Sequence, residues 1–289
     1  FRYHKIIFSI KMKSFSSQKI FTKYYIIDKL SSSEAFDFYK VKDSSDNTYF
    51  LKLFIKGKYD PKLLNEIEKG IYINSQEEAN SSFVKYVNSE SNIKTKTTCI
   101  IYEFEEKQTL NDILMMKLFF GERLSLTIFR QIALLVDSLH KIGLTQTNLK
   151  LDNILIDANY KLKMAGFSSI QFIQDDNALH NDIFQLAFFL LNLLTGKYYL
   201  KKQESKIIKI IRQGKFEFFW KSIEMQNNQT FSKKLKELIN KMFESKKNNV
   251  DLNEIILIEN EWFNDIQVND NDNYMKNSFK QFEEADKNY

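Results

Sequence analysis

The sequence predicts an α+β fold of two lobes: a small, mostly antiparallel sheet with one helix, then a larger, mainly helical lobe. Three observations predict it. Over the first third of the chain apolar and polar residues alternate, the period of a half-buried strand. Further along, the apolar residues recur at helical spacing. The 289 residues are also enough for two lobes that share a cleft. The expected boundaries are 1–20 for a basic arm, 21–104 for the sheet lobe, 105–263 for the helical lobe and 264–289 for a polar tail.

The strands come first. "FTKYYIIDKL" (21–30), "FDFYKVKD" (36–43) and "TYFLKLF" (48–54) alternate, and "SSDN" between the last two makes a hairpin turn. Asp60 can cap a helix that Pro61 opens, and Glu66 lies on that helix. Two further strands are expected near 83–88 and 97–104. The next helix places Ile128, Ile132, Leu135, Leu139 and Ile142 on one face, and Gly143 ends it. A polar loop then leads into a strand at Ile154, Leu155 and Ile156, a turn over Asp157 to Tyr160, a second strand, and a polar turn at Gly166. "DIFQLAFFLLNLLTG" is apolar on nearly every side and reads as a central helix. Amphipathic helices are expected near 203–213, 231–244 and 251–259, and the tail from Asn264 reads as loosely ordered.

Composition narrows the function classes. A hydrophobic content of 43% and a charged content of 27% are ordinary for a globular protein. The net charge of +5 is spread along the chain, without the dense stripe of a nucleic-acid binder. A single cysteine, Cys99, excludes an internal disulfide and fits a reducing, cytoplasmic setting. His4, His140 and His180 are scattered, with no metal-ligand spacing. The run Ile183 to Leu194 is too short for a membrane span and is interrupted by Gln185 and Asn192. With one proline and seven glycines, turns fall to Asn, Asp and Ser. The first 27 residues contain no acid, so residues 1–20 read as a basic targeting or membrane-surface arm; equally, Met12 is the true start or the chain is a fragment.

Several ordered segments together resemble a eukaryotic protein kinase over roughly residues 21 to 263. "NLKLDNILI" resembles the kinase catalytic loop, and "KLKMAGFSS" the strand and turn that carry the metal-binding Asp-Phe-Gly. "NDIFQLAFFLLNLLTG" is similar to the buried helix that anchors the large lobe. "IIRQGKFEFFW" and "ENEWF" look like the late segments of calmodulin-dependent-type kinases.

The resemblance places the family's functional positions on unusual residues. The carboxylate that orients and deprotonates the substrate hydroxyl falls at Asn148, and a carboxamide cannot take that proton. The acid that binds magnesium falls at Gly166, which has no side chain, while the second metal ligand is kept as Asn153. Asn153 alone reads as a brace for the loop. The glycine-rich phosphate loop maps to "SSSEAF", its glycines replaced by Ser31, Ser33 and Phe36. Lys52 matches the phosphate-contacting lysine and Glu66 its helix partner, a pair that can equally be structural. Phe50 shares a strand face with Lys52 and stands where the family has alanine against adenine. Lys150 matches the loop lysine and Asp182 the structural aspartate of the buried helix. Asp152 is close to Asn148 in sequence, but its family counterpart does not act as base.

The family's His-Arg becomes Gln146-Thr147, the segment from Gly166 to Asp182 is short, and it offers only Ser168 and Ser169 for phosphorylation. Gly70 stands where the family's helix gives an apolar side chain to the spine that links the lobes.

The expectation is a pseudokinase with no catalytic residue intact, no metal and no required cofactor, retaining at most weak, metal-independent ATP binding. Its partners would be proteins, an active kinase or its substrates among them, and neither nucleic acid nor an integral membrane segment is expected. Two alternatives stand beside it. One is a weak or atypical serine/threonine kinase that uses Lys52, Lys150 and Asn153. The other is a membrane-surface or organelle role through the basic arm.

Overall fold

The computed structural model describes residues 19–20, 23–32, 36–54, 61–77, 82–92, 97–103, 109–197, 204–257 and 271–287. The chain divides into two compact units, Phe1–Glu106 and Lys107–Tyr289. Almost all of the basic arm, and the proposed cap Asp60, lie outside the described residues.

The first unit is a six-stranded antiparallel sheet with one helix. Its strands are β1 (Lys19–Ile20), β2 (Tyr24–Ser32), β3 (Phe36–Lys42), β4 (Thr48–Phe54), β5 (Tyr86–Asn92) and β6 (Thr97–Glu103). They are ordered β1-β2-β3-β4-β6-β5. The β3–β4 turn is built by polar side chains: Asp43 Oδ1 accepts from the backbone N–H groups of Ser45 (2.8 Å) and Asn47 (2.9 Å). Alternation gives the sheet two distinct faces. One buries Tyr24, Ile26, Tyr39, Val41, Leu51, Cys99 and Ile101 together. Burial also pushes the Cys99 thiol up to about 12, so it is no ready nucleophile.

Helix α1 (Pro61–Asn74) packs on β5. A Cβ on Gly70 would lie 3.0 Å from the Tyr86 side chain, so the missing side chain is what lets Tyr86 sit against the helix.

The second unit is mainly helical, as expected. Its earlier helices are α2 (Leu110–Lys117), α3 (Glu122–Lys141) and α4 (Asp176–Thr195). Then come α5 (Glu204–Arg212), α6 (Phe216–Asn227), α7 (Lys233–Phe243), α8 (Ser245–Asn248), α9 (252–257) and α10 (Asn271–Lys287). Short strands β7 (Leu144–Gln146), β8 (Ile154–Ile156), β9 (Leu162–Met164) and β10 (Ile170–Phe172) form two small ladders, β7 with β10 and β8 with β9. Helix α4 is the axis of this unit: Leu186 to Thr195 are all buried, and α3, α7 and α8 pack around it. Its aromatic side joins Phe184 and Phe188 to Phe243 of α7, with ring centroids 5.4 and 5.0 Å apart.

Helices α2, α6 and α10, and the short α8, were not anticipated. Helix α2 has a capping box, in which Thr109 and Asp112 satisfy each other's backbone N–H groups. Helix α10 corrects the reading of the tail as loosely ordered. Met275 and Phe279 are fully buried four residues apart, and Phe282 stacks on Phe120 at 6.0 Å. Tyr160 also donates to Glu283 Oε2 (3.0 Å), which ties the helix to the β8–β9 turn. No described helix is long and apolar enough to cross a membrane.

Candidate functional site

In the first unit, β4 turns Phe50, Lys52 and Phe54 to the face opposite the Leu51 core. Lys52 is 8% exposed. Its Nζ donates to both oxygens of Glu66, at 2.8 and 3.0 Å, and Tyr102 donates to Glu66 Oε1 at 2.6 Å. The same ammonium lies 4.3 Å from the centre of the Phe36 ring and 5.2 Å from that of Phe54. Lys52 is thus enclosed: a carboxylate neutralises it and two rings stand beside it. Phe50 is buried next to Phe38, with ring centroids 5.6 Å apart, and pairs across the sheet with Tyr102. Burial and the adjoining Glu66 carboxylate hold the Tyr102 phenol well above its ordinary range, so it is a donor. Of the degenerate phosphate loop, Ser31 is exposed near the end of β2, Phe36 begins β3, and Ser33 lies outside the described residues.

In the second unit, the loop after β7 is held from beneath by α4. Asp182 is 2% exposed; its Oδ2 accepts from the backbone N–H of Gln146 (2.8 Å) and lies 3.0 Å from His140 Nε2. Burial raises the carboxyl above its ordinary value, against the lowering by His140 and the Gln146 amide. One turn along, Gln185 accepts from the Leu149 amide (2.9 Å) and donates to the Thr147 carbonyl (2.8 Å). Gln146, in the place of the family's histidine, donates to Met164 Sδ and accepts from Ser169 Oγ (2.7 Å). Ser169 is therefore a brace between the loop and the β10 ladder.

Asn148 and Lys150 are exposed on this loop. Asp152, also exposed, accepts from Asn111 of α2 (2.8 Å). Gly166 is in the left-handed region, at φ 80° and ψ 47°. A Cβ there would lie 2.6 Å from Asn153 Cγ and 2.7 Å from its Nδ2. The Asn153 amide thus fills the space that a second ligand's side chain would need. Residues 151–153 form a 3₁₀ turn, closed by the Asn153 amide donating to the Lys150 carbonyl (3.0 Å). The magnesium that the fold implies does not fit this donor set. One neutral amide crowds Gly166, and no carboxylate stands at either family position.

The sequence reading missed Tyr102, Phe54, Gln185 and Asn111 as members of these clusters. Gln185 had a signal, a lone amide three residues after Asp182 on an otherwise apolar helix. Phe54 also had one, two residues beyond Lys52 on the same strand face.

Residues 32–181 match the protein kinase domain family. Among curated proteins the chain is similar to "Probable serine/threonine-protein kinase KIN1 homolog" of Enterocytozoon bieneusi, 34% identical over 35% of this chain and 17% of that protein. It is also similar to "NUAK family SNF1-like kinase 1" of Homo sapiens, 38% identical over 28% of this chain and 12% of that protein. "Probable serine/threonine-protein kinase KCC4" of Saccharomyces cerevisiae is 24% identical over 50% of this chain and 16% of its own length. The matches span less than a fifth of these relatives.

Proposed function

Because the chain belongs to the protein kinase domain family, we propose that it is a pseudokinase: a kinase-like protein that works by binding other proteins rather than by phosphoryl transfer. The observation that carries this reading is the enclosure of Lys52. In the family that lysine meets phosphate while paired with its helix glutamate; here the Lys52–Glu66 pair is kept, and the departure is that Phe36 and Phe54 stand beside the ammonium. Asn148 as the base position and the Asn153 amide crowded against Gly166 support the same conclusion. Weak, metal-independent ATP binding is the most that this set of residues supports. A cytoplasmic site of action, with an active kinase or its substrates as partners, accords with this role.

The test is the melting temperature with and without excess ATP and magnesium, followed by a phosphotransfer assay on the same preparation. A ligand at about 100 times its Kd stabilises by roughly 2.7 kcal/mol. The expected result is no magnesium-dependent shift and no transfer. Metal-dependent transfer that is abolished by Lys52→Ala would establish the weak-kinase alternative instead.

A further inference from the structure

Helices α5 and α6 form a hairpin whose outer surface the kinase reading leaves without a role. Residues 213–215 join them, and the two helices pack on each other. Gly214, at φ 67°, makes the tight turn. The core fixes the inner faces: Ile207 and Ile211 of α5, and Phe219, Trp220 and Ile223 of α6, are buried. At helical spacing this leaves one outer face on each helix. On α5 that face carries Lys206, Lys209 and Arg212, all exposed. On α6 it carries Phe218, Lys221 and Met225, spaced i, i+3 and i+7 and also exposed.

Two independent observations single out this surface. The first is charge. Residues 206–221 hold five cations, Lys206, Lys209, Arg212, Lys215 and Lys221, and one acid, Glu217. None of the five has an ion-pair partner among the described residues. Elsewhere in the second unit lysines are matched: Lys233 with Glu237, Lys241 with Glu254, and Lys247 with Glu244. Even Glu224, the next acid along α6, is taken by Lys236 of α7 (2.6 Å). The second observation is apolar exposure. Phe218 is 61% and Met225 74% exposed, on either side of Lys221. Single exposed apolar groups are ordinary, but two on one stripe among unpaired cations form the pattern of an interfacial surface.

The choice of cation says what the surface meets. Four of the five are lysines. Phosphates or carboxylates in fixed positions, as on RNA or a protein, are best met by the planar fork of arginine, and lysine is depleted in protein interfaces. A fluid layer of anionic headgroups asks only for point charges, and it gives exposed apolar tips a place to insert. We propose that the outer face of the α5–α6 hairpin docks on an anionic phospholipid surface. The cations lie among the headgroups, and Phe218 and Met225 insert between them. This role goes beyond the pseudokinase reading and uses neither ATP nor a protein partner, so either can fail alone. It is also separate from the basic arm, because residues 1–20 stay unchanged in every variant below.

The probe is co-sedimentation of the full chain with vesicles of equal parts phosphatidylserine and phosphatidylcholine, against vesicles of phosphatidylcholine alone. Binding is expected to the anionic vesicles only, and it should weaken as salt rises. A cation near such a surface is worth about fivefold, so Lys206→Gln with Lys209→Gln and Arg212→Gln should weaken binding about a hundredfold. Phe218→Ser with Met225→Ser should weaken it about tenfold at unchanged salt dependence. Lys233→Gln with Lys246→Gln and Lys247→Gln removes as many charges from α7 and α8, and should weaken it by about threefold at most. All the replaced side chains are exposed, and an unaltered melting temperature of each variant shows that folding is intact. The proposal is overturned if the anionic vesicles bind nothing or no more than the neutral ones. It is equally overturned if the α5 variant or the Phe218 and Met225 variant binds as the parent does, or if the α7 and α8 variant loses as much as the α5 one. Binding of polyglutamate or polyuridine without binding of vesicles also overturns it, and makes the patch a protein or RNA surface instead.

Discussion

Restoring a side chain at Gly166 should destabilise the protein, and the cost can be worked from two observations. The first is the backbone. At φ 80° the residue is left-handed, which costs an L-residue about 1–2 kcal/mol relative to glycine. The second is space. A Cβ would lie 2.6 Å from Asn153 Cγ, so the amide must move or the loop must shift, and overpacking of this kind costs about 1–3 kcal/mol. A central value for Gly166→Ala is about 3 kcal/mol, which lowers the melting temperature by roughly 6–12 °C in a chain of this size. The two terms separate in a double-mutant cycle. Asn153→Ala removes the obstacle and leaves the backbone cost, so Gly166→Ala in that background should lose only the smaller part. The coupling expected is about 1–3 kcal/mol. The assay is chemical denaturation of the four proteins, with two-state behaviour checked by two probes. A Gly166→Ala variant within about 0.5 kcal/mol of the parent, or a cycle with no coupling, would refute the reasoning.

Four further outcomes follow from the geometry. Phe36→Gly removes one wall beside Lys52, so it should increase any ATP-dependent stabilisation over the parent in the melting assay; an identical response shows that Phe36 is not what limits nucleotide access. Gln185→Ala breaks bonds to Leu149 and Thr147 and should cost about 1–3 kcal/mol, with faster amide exchange at Leu149; unchanged exchange there would remove Gln185 as the support of the loop. Phe279→Ala empties a wholly buried ring site on α10 and should cost about 3–5 kcal/mol, whereas a loss below about 1 kcal/mol would mean that the helix contributes little to the fold. Burial raises the Asp182 pKa in the folded state, so its stability contribution is full below the ordinary aspartate value of 3.8 and is lost as pH rises through the higher folded value. The stability of the parent relative to Asp182→Asn should therefore fall as pH rises from below 3.8, and a difference that grows with pH contradicts this sign.

The legible parts of the fold were those set by a period. Alternation along β4 alone puts Phe50 and Lys52 on one face, and the 3.6-residue stripe from Ile128 to Ile142 marks α3. Polar turn chemistry was equally readable, since Asp43 and its neighbours fold the β3–β4 turn without glycine. What escaped depended on register between distant segments. Tyr102 reaches Glu66 because β6 pairs with β4 so that Lys52 faces Ile100, and no local pattern encodes that alignment. Helix α10 escaped for the opposite reason. Among its described side chains only Met275 and Phe279 are fully buried on a strongly polar helix, too few for a clear stripe against so many charges. Crowding of Asn153 against Gly166 needed coordinates, because it comes from a backbone angle rather than from residue types.

The three-residue link from β10 to α4 has a consequence for how information passes through this protein. A chain with a long loop at that point can store a mark there and change shape when the mark is added or removed. Here Ile173 is tethered to Gly143, and the Ser169 hydroxyl is committed to Gln146. This link therefore holds no segment long enough for such a switch. On the binding role proposed above, the protein's influence on other proteins would follow how many copies are present and what occupies its surfaces, so changing its dose would do what changing a modification state does elsewhere.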